Sequence, residues 1–201
     1  NDAMRDPLWR PSGDRISKAN MTRFMAHVNR RFGTGFSDYG ALYDWSCENI
    51  PDFWAAFWDF AGIKASTPWE EVVDDPARMP GARWFPGARL NFAEHLLAHR
   101  DDRPAVVFTG EGRAPVRTTS AELYDQVARL ARALRSMGIV EGDRVVGFMP
   151  NMTETIVAML AAASIGAIWS SCSPDFGIKG VLDRFGQIEP RVLFMADGYV
   201  Y

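Results

Sequence analysis

A chain of 201 residues, 47% of them hydrophobic and 23% charged, is long enough to bury a full core without a metal or disulfide staple. Its net charge of −3 speaks against a nucleic-acid or anionic-membrane surface, either of which needs a basic excess. The longest apolar run, Ile156 to Ile168, is interrupted by Ser164 and Gly166 and is too short to span a bilayer, so no membrane partner is expected.

The first predicted helix follows Ser17, a residue suited to capping, and carries Met21, Phe24, Met25, Val28 and Phe32 at helical spacing. Gly33, Gly35 and Gly40 break that pattern, and Asp38 starts a further short helix through Tyr39, Leu42 and Trp45. Pro51 opens a third, PDFWAAFWDFAG, in the first turn, where a missing N–H costs nothing. Phe53, Trp54, Phe57, Trp58 and Ala61 share one broad stripe of it, which ends at Gly62. Aromatics at helical spacing serve a core or a domain interface more often than a ligand pocket. Lys64 to Pro86, rich in Pro, Gly and charge, reads as an extended linker with a short Val72-Val73 piece. Asn91 then caps a helix through His99; His95 and His99 have the spacing of a metal pair, but no H-E-x-x-H pattern accompanies them. A solvated face near the helix end is the expectation, and no metal site is assigned.

From Pro104 the texture changes. Ala105 to Gly110 predicts a strand, Glu111-Gly112 a turn, and Pro115 to Thr118 a returning hairpin partner. Thr119 and Glu122 form a T-x-x-E capping box for a helix with Leu123, Val127, Leu130, Leu134 and Met137 on one face. Arg129, Arg132 and Arg135 fall on its polar side, and Gly138 ends it. Arg144 to Pro150 is an apolar strand, Thr153 to Ser164 an apolar helix, Ala167 to Ser171 a strand, Val181 to Ile188 a helix and Arg191 to Asp197 a strand. This alternation predicts an α/β fold: an incomplete doubly wound, mostly parallel sheet preceded by a helical N-terminal extension. Residues 1–98 are assigned to the extension and linker, and 99–201 to the sheet domain. The chain stops just past a strand, so a piece of a longer protein is expected.

Nucleotide and nucleophile motifs are missing. The sequence holds no G-x-x-x-x-G-K-[ST], no G-x-G-x-x-G and no G-x-S-x-G. Cys47 and Cys172 lie far apart and form no C-x-x-C, which favours a reducing, cytoplasmic setting over a disulfide framework or zinc site. Cys172 has no histidine nearby to activate it, and no catalytic residue is assigned. One stretch keeps two readings. IWSSCSPDFG, Ile168 to Gly177, is either an ordinary strand-to-helix turn or a loop facing a ligand at the C-terminal end of a parallel strand.

Longer stretches carry a family likeness. YGALYDWSCENIPDFWAAFWDFAGI, Tyr39 to Ile63, resembles the N-terminal extension of acetyl-CoA synthetase-like enzymes, and RWFPGARLNFAEHLL, Arg83 to Leu97, the segment leading into their main domain. GDRVVGFMPNMTETIVAMLAAASIGAIWSSCSPDFG, Gly142 to Gly177, resembles the first βαβ unit of the adenylate-forming acyl-CoA synthetases. Together with LDRFGQIEP, the wording is most similar to the acetoacetate–CoA ligase family.

The resemblance implies an acid–thiol ligase. Acetoacetate attacks the α-phosphate of Mg-ATP to give an acyl-adenylate and pyrophosphate, and the CoA thiolate then displaces AMP. ATP, Mg²⁺ and CoA would serve the parent enzyme, with none bound tightly by this stretch. The family's phosphate-binding loop and catalytic lysine fall beyond Tyr201, so the isolated chain is expected to be inactive. Ser173, Pro174, Asp175 and Phe176 align with the region where related enzymes contact CoA, although Pro174 and Asp175 stand in place of two glycines. Tyr201 falls where those relatives carry a CoA-binding arginine. Two further readings compete: an interaction module docking through its aromatic helices, and a self-contained Rossmann-like nucleotide-binding domain. Dimerisation of the fragment through a truncated face is a further expectation.

Overall fold

The computed structural model describes residues 7–110, 112 and 114–198. Packing divides the chain into two units between Leu90 and Asn91, not after residue 98, because the short helix that follows Asn91 packs with the second unit.

In the first unit, helix α1 spans Gly13–Ser17, α2 Asn20–Phe32, α3 Tyr39–Glu48 and α4 Ile50–Ala61. Ser17 closes α1 rather than capping α2, whose N-cap is Ala19. Asp38 behaves as expected, its Oδ1 accepting the Ala41 N–H at 3.0 Å. Phe24, Val28, Leu42 and Ala56 form the buried centre, with Phe53 and Phe60 meeting Phe24 edge-on at ring separations of 5.6 and 5.2 Å.

The predicted aromatic stripe of α4 is divided between two sides. Its fully buried positions are Ala55 and Ala56, while Phe57 and Ala61 are exposed. Trp54 and Trp58 turn toward the segment after the helix, contacting Trp84 and Phe85 at ring separations of 5.8 and 4.6 Å. Successive residues step by about 100° around a helix, so bulky rings at neighbouring positions cannot all share one face. That following segment is not an extended linker. It folds back on itself through the Phe85 N–H to Val72 O bond at 2.7 Å and short antiparallel bridges pairing Thr67 with Arg89 and Val73 with Trp84.

In the second unit, Asn91 caps α5, Phe92–Leu96, through the Glu94 N–H at 3.2 Å. The helix stops at Leu96, short of the expected His99. Strands β1, Pro104–Phe108, and β2, Val116–Thr119, pair antiparallel, and α6 follows over Ser120–Ser136. Its capping box forms as expected: the Glu122 N–H donates to Thr119 Oγ1, and the Thr119 N–H to Glu122 Oε2.

Strand β3 is Arg144–Phe148, helix α7 Thr153–Ser164, β4 Ile168–Cys172, α8 Ile178–Ile188 and β5 Val192–Met195. The sheet order is β4-β3-β5, with both pairings parallel. Alternation places neighbouring side chains of β3 on opposite faces. Val145 packs among residues of α6 and α7, whereas Val146 packs with Cys172 and Phe185 under α8. The chain therefore leaves β3 over one face and β4 over the other. That is a doubly wound arrangement, as the sequence predicts. Among the described residues no helix is long and apolar enough to cross a membrane.

Candidate functional site

Ligands of open α/β sheets bind beyond the carboxyl ends of the strands. The loop after β4 lies at that end of the sheet, beside the end of β3. The two ends are tied by the Met149 N–H, which donates to Cys172 O at 3.3 Å. Thr155 Oγ1 donates to Pro150 O at 2.7 Å and fixes the loop that enters α7.

Residues 173–177 join β4 to α8. The Phe176 N–H donates to Ser173 O at 3.1 Å, closing a four-residue turn with Pro174 at its second position, where the fixed φ of proline suits the turn. Ser173 Oγ donates to Asp175 Oδ2 at 2.7 Å, bracing the turn from outside. Ser173, Asp175 and Phe176 are exposed and Pro174 is half-buried, so the turn presents these side chains to solvent.

Four of the five residues singled out in the sequence thus come together in one turn; Tyr201 lies outside the described residues. Cys172, which drew attention first, faces inward and is 6% exposed. Its thiol has apolar neighbours, Val146 and Phe185. Among the described residues no three or more His, Cys, Asp or Glu side chains gather as a metal site.

Sequence reasoning missed what stands behind the turn. The Arg184 guanidinium lies over the Phe176 ring, 4.0 Å from its centroid, and Gly180 lies against the same ring. Eight positions separate Phe176 from Arg184, a spacing with no meaning across a turn-to-helix junction. The only available signal was Gly180, since a glycine inside a helical pattern often marks a close approach.

The amino ends of the strands, opposite this turn, are held structurally. Asp143 Oδ2 accepts the Val140 N–H at 2.9 Å and Arg191 Nη1 at 2.8 Å. The Val140 N–H first, and then the Arg191 guanidinium, hold this carboxyl below the usual carboxylate range.

Residues 92–200 match the family described as AMP-binding enzyme, and residues 39–96 match the acetyl-coenzyme A synthetase N-terminus. An acetoacetyl-coenzyme A synthetase of Rhizobium meliloti is 49% identical over 97% of this chain and 30% of its own length. One from Rattus norvegicus is 48% identical over 96% of the chain and 29% of its own length. The structure of acetoacetyl-CoA synthetase from Streptomyces lividans superposes with a TM-score of 0.90 at 46% identity, covering 98% of this chain and 31% of that one. The chain therefore spans under a third of the length of the relatives it matches.

Proposed function

This chain belongs to the AMP-binding enzyme family, and from that premise we propose that it forms the N-terminal portion of an acid–thiol ligase acting on acetoacetate. The observation that carries the reading is near-complete coverage of the chain by acetoacetyl-CoA synthetases at close to half identity, in sequence and in structure. In the proposed reaction the acetoacetate carboxylate attacks the α-phosphorus of ATP and pyrophosphate leaves. The CoA thiolate then attacks the acyl carbon and AMP leaves. Adenylation turns a poor acyl donor into one with a good leaving group.

Magnesium enters this reading only with the nucleotide substrate. No metal-holding group of side chains stands among the described residues, and no step is assigned to one. The role given to this chain is the CoA-facing turn, Ser173, Pro174, Asp175 and Phe176, with Tyr201 as a further contact. Alone, the chain is inactive, holds none of these ligands tightly and is cytoplasmic in setting.

Two surfaces bear on partners. Ile178, Leu182, Leu193 and Met195 are exposed on α8 and β5, and the isolated chain self-associates through this apolar face. Sedimentation across a concentration series tests that, and a monomer at every concentration removes it. The docking reading draws on a groove of about 270 Å³ in the first unit, lined by Met21, Tyr39, Tyr43 and Phe57 among others.

The ligase reading is tested on the full-length protein by following AMP and CoA thioester formation with acetoacetate, ATP and CoA. Asp175→Ala and Phe176→Ala should raise the CoA requirement more than the ATP requirement. Absence of acetoacetate-dependent AMP release discards the ligase, and equal shifts for both substrates discard the CoA-facing turn.

A further inference from the structure

Three groups stack beside the candidate turn. The Phe176 ring lies against the first turns of α8 and is 38% exposed. A Cβ on Gly180 would stand 3.3 Å from Phe176 Cδ1 and 3.7 Å from Arg184 Nη1, so ring, helix and guanidinium are in mutual contact. The Arg184 guanidinium carbon is 4.0 Å from the ring centroid, within the range in which a cation is attracted by the negative face of an aromatic ring. The main chain of Phe176 is held independently by its hydrogen bond to Ser173 O. Rotation of the ring is the freedom left, and the Arg184 guanidinium stacks against the ring that would turn.

We infer that Arg184 is a positioning residue for the CoA-facing turn, holding the Phe176 ring against α8 so that residues 173–177 meet the ligand in one shape. The inference rests on the CoA reading given above. It assigns Arg184 no contact with substrate. A planar guanidinium stacks on a ring in a way that an uncharged amide does not, and an ammonium keeps the charge while losing the stacking. Exposed cation–π pairs are modest, so the expected change is a rise of about threefold to fivefold in the KM for CoA.

The experiment uses the full-length enzyme with Arg184→Gln, Arg184→Lys, Phe176→Ala and the Arg184→Gln/Phe176→Ala double variant. Each is measured for KM against CoA and against ATP, and for acyl-adenylate formation without CoA. Expected results are a raised KM for CoA in Arg184→Gln, unchanged adenylate formation in that variant, and partial retention in Arg184→Lys. In the Phe176→Ala background the Arg184 substitution should add nothing, because its target is gone. Additive effects would mean that the guanidinium meets the ligand itself, and would overturn the inference. Loss of adenylate formation in step with CoA use overturns it too, as a general structural role. If Phe176→Ala raises the KM for CoA and Arg184→Gln does not, only the role of Arg184 falls. If Phe176→Ala leaves CoA use unchanged, the CoA reading falls, and this inference with it.

Discussion

Gly147 and the indole of Trp169 compete for one place in the sheet: a Cβ on Gly147 would stand 2.6 Å from Cη2 and 2.7 Å from Cζ2 of the ring. Trp169 pairs with Val145 and Gly147 with Ser171, so the indole leans along the sheet toward the strand ends and covers the glycine. Because β3 lies between β4 and β5, its backbone cannot withdraw. Gly147→Ala should therefore destabilise the second unit by about 1–3 kcal/mol, the range for overpacking a filled core. Urea unfolding measures it. Adding Trp169→Leu should recover part of the loss, and strict additivity of the two substitutions would show that the indole is not the obstacle.

Asp74 predicts an acid-sensitive first unit. It accepts the Arg83 N–H and Nε, each at 2.9 Å, and Arg78 Nη1 at 3.3 Å. The Arg83 backbone N–H and then its guanidinium bring the carboxyl down to about 2. An unfolded aspartate titrates at about 3.9, so the folded-state value is depressed. Its contribution is complete above the unfolded value and is lost as pH falls from about 4 toward about 2. Fluorescence of Trp69 and Trp84 should report this loosening in the native chain, with the slope flattened in Asp74→Asn. An Asn variant with the native pH dependence would remove Asp74 from the account.

Local chemistry made most of the second unit legible. The Thr119–Glu122 box, the left-handed Gly138 and the apolar run of β3 each state their structure within a few residues. What escaped depended on contacts between segments. Residues 64–86 look like a linker in composition, yet Trp69 and Phe85 meet at 6.1 Å and Asp74 reaches Arg83, relationships that no periodicity encodes. The division of the α4 stripe escapes the sequence for the same reason, since only the fold brings Trp54 to Trp84. At the candidate site the turn was visible through Pro174 and its place after a strand. The restraint of Phe176 by Arg184 was not, because it joins a loop to the second turn of a helix.

Cys172 gives a clear test of what the inward-facing thiol does. With Val146 and Phe185 as neighbours, it packs as a small apolar group. Cys172→Ala should keep full-length activity within about twofold and cost roughly 1 kcal/mol of stability, comparable to a small deletion in a core. Cys172→Ser should cost more, about 1–3 kcal/mol, because its hydroxyl has no partner there. Turnover and thermal unfolding of both variants decide the matter. A nucleophile would show the reverse, with activity lost by orders of magnitude in either variant.

Gly180→Ala separates the stability of α8 from the shape of the turn in front of it. Gly180 is the third residue of α8, in its first turn, where alanine is preferred by no more than about 1 kcal/mol, so the helix should gain modestly. The new Cβ, however, meets Phe176 Cδ1 at 3.3 Å and must push the half-exposed ring aside by a few tenths of an ångström. One substitution should then raise the unfolding midpoint of the chain and weaken CoA use in the full-length ligase. No general destabilisation produces that pair of signs. If the ring slides without consequence, the midpoint rises and the KM for CoA stays fixed, and the placement of Phe176 does not matter to the ligand. If the midpoint falls, the contact with Phe176 outweighs the helical preference, and the ring is held more rigidly than its exposure implies.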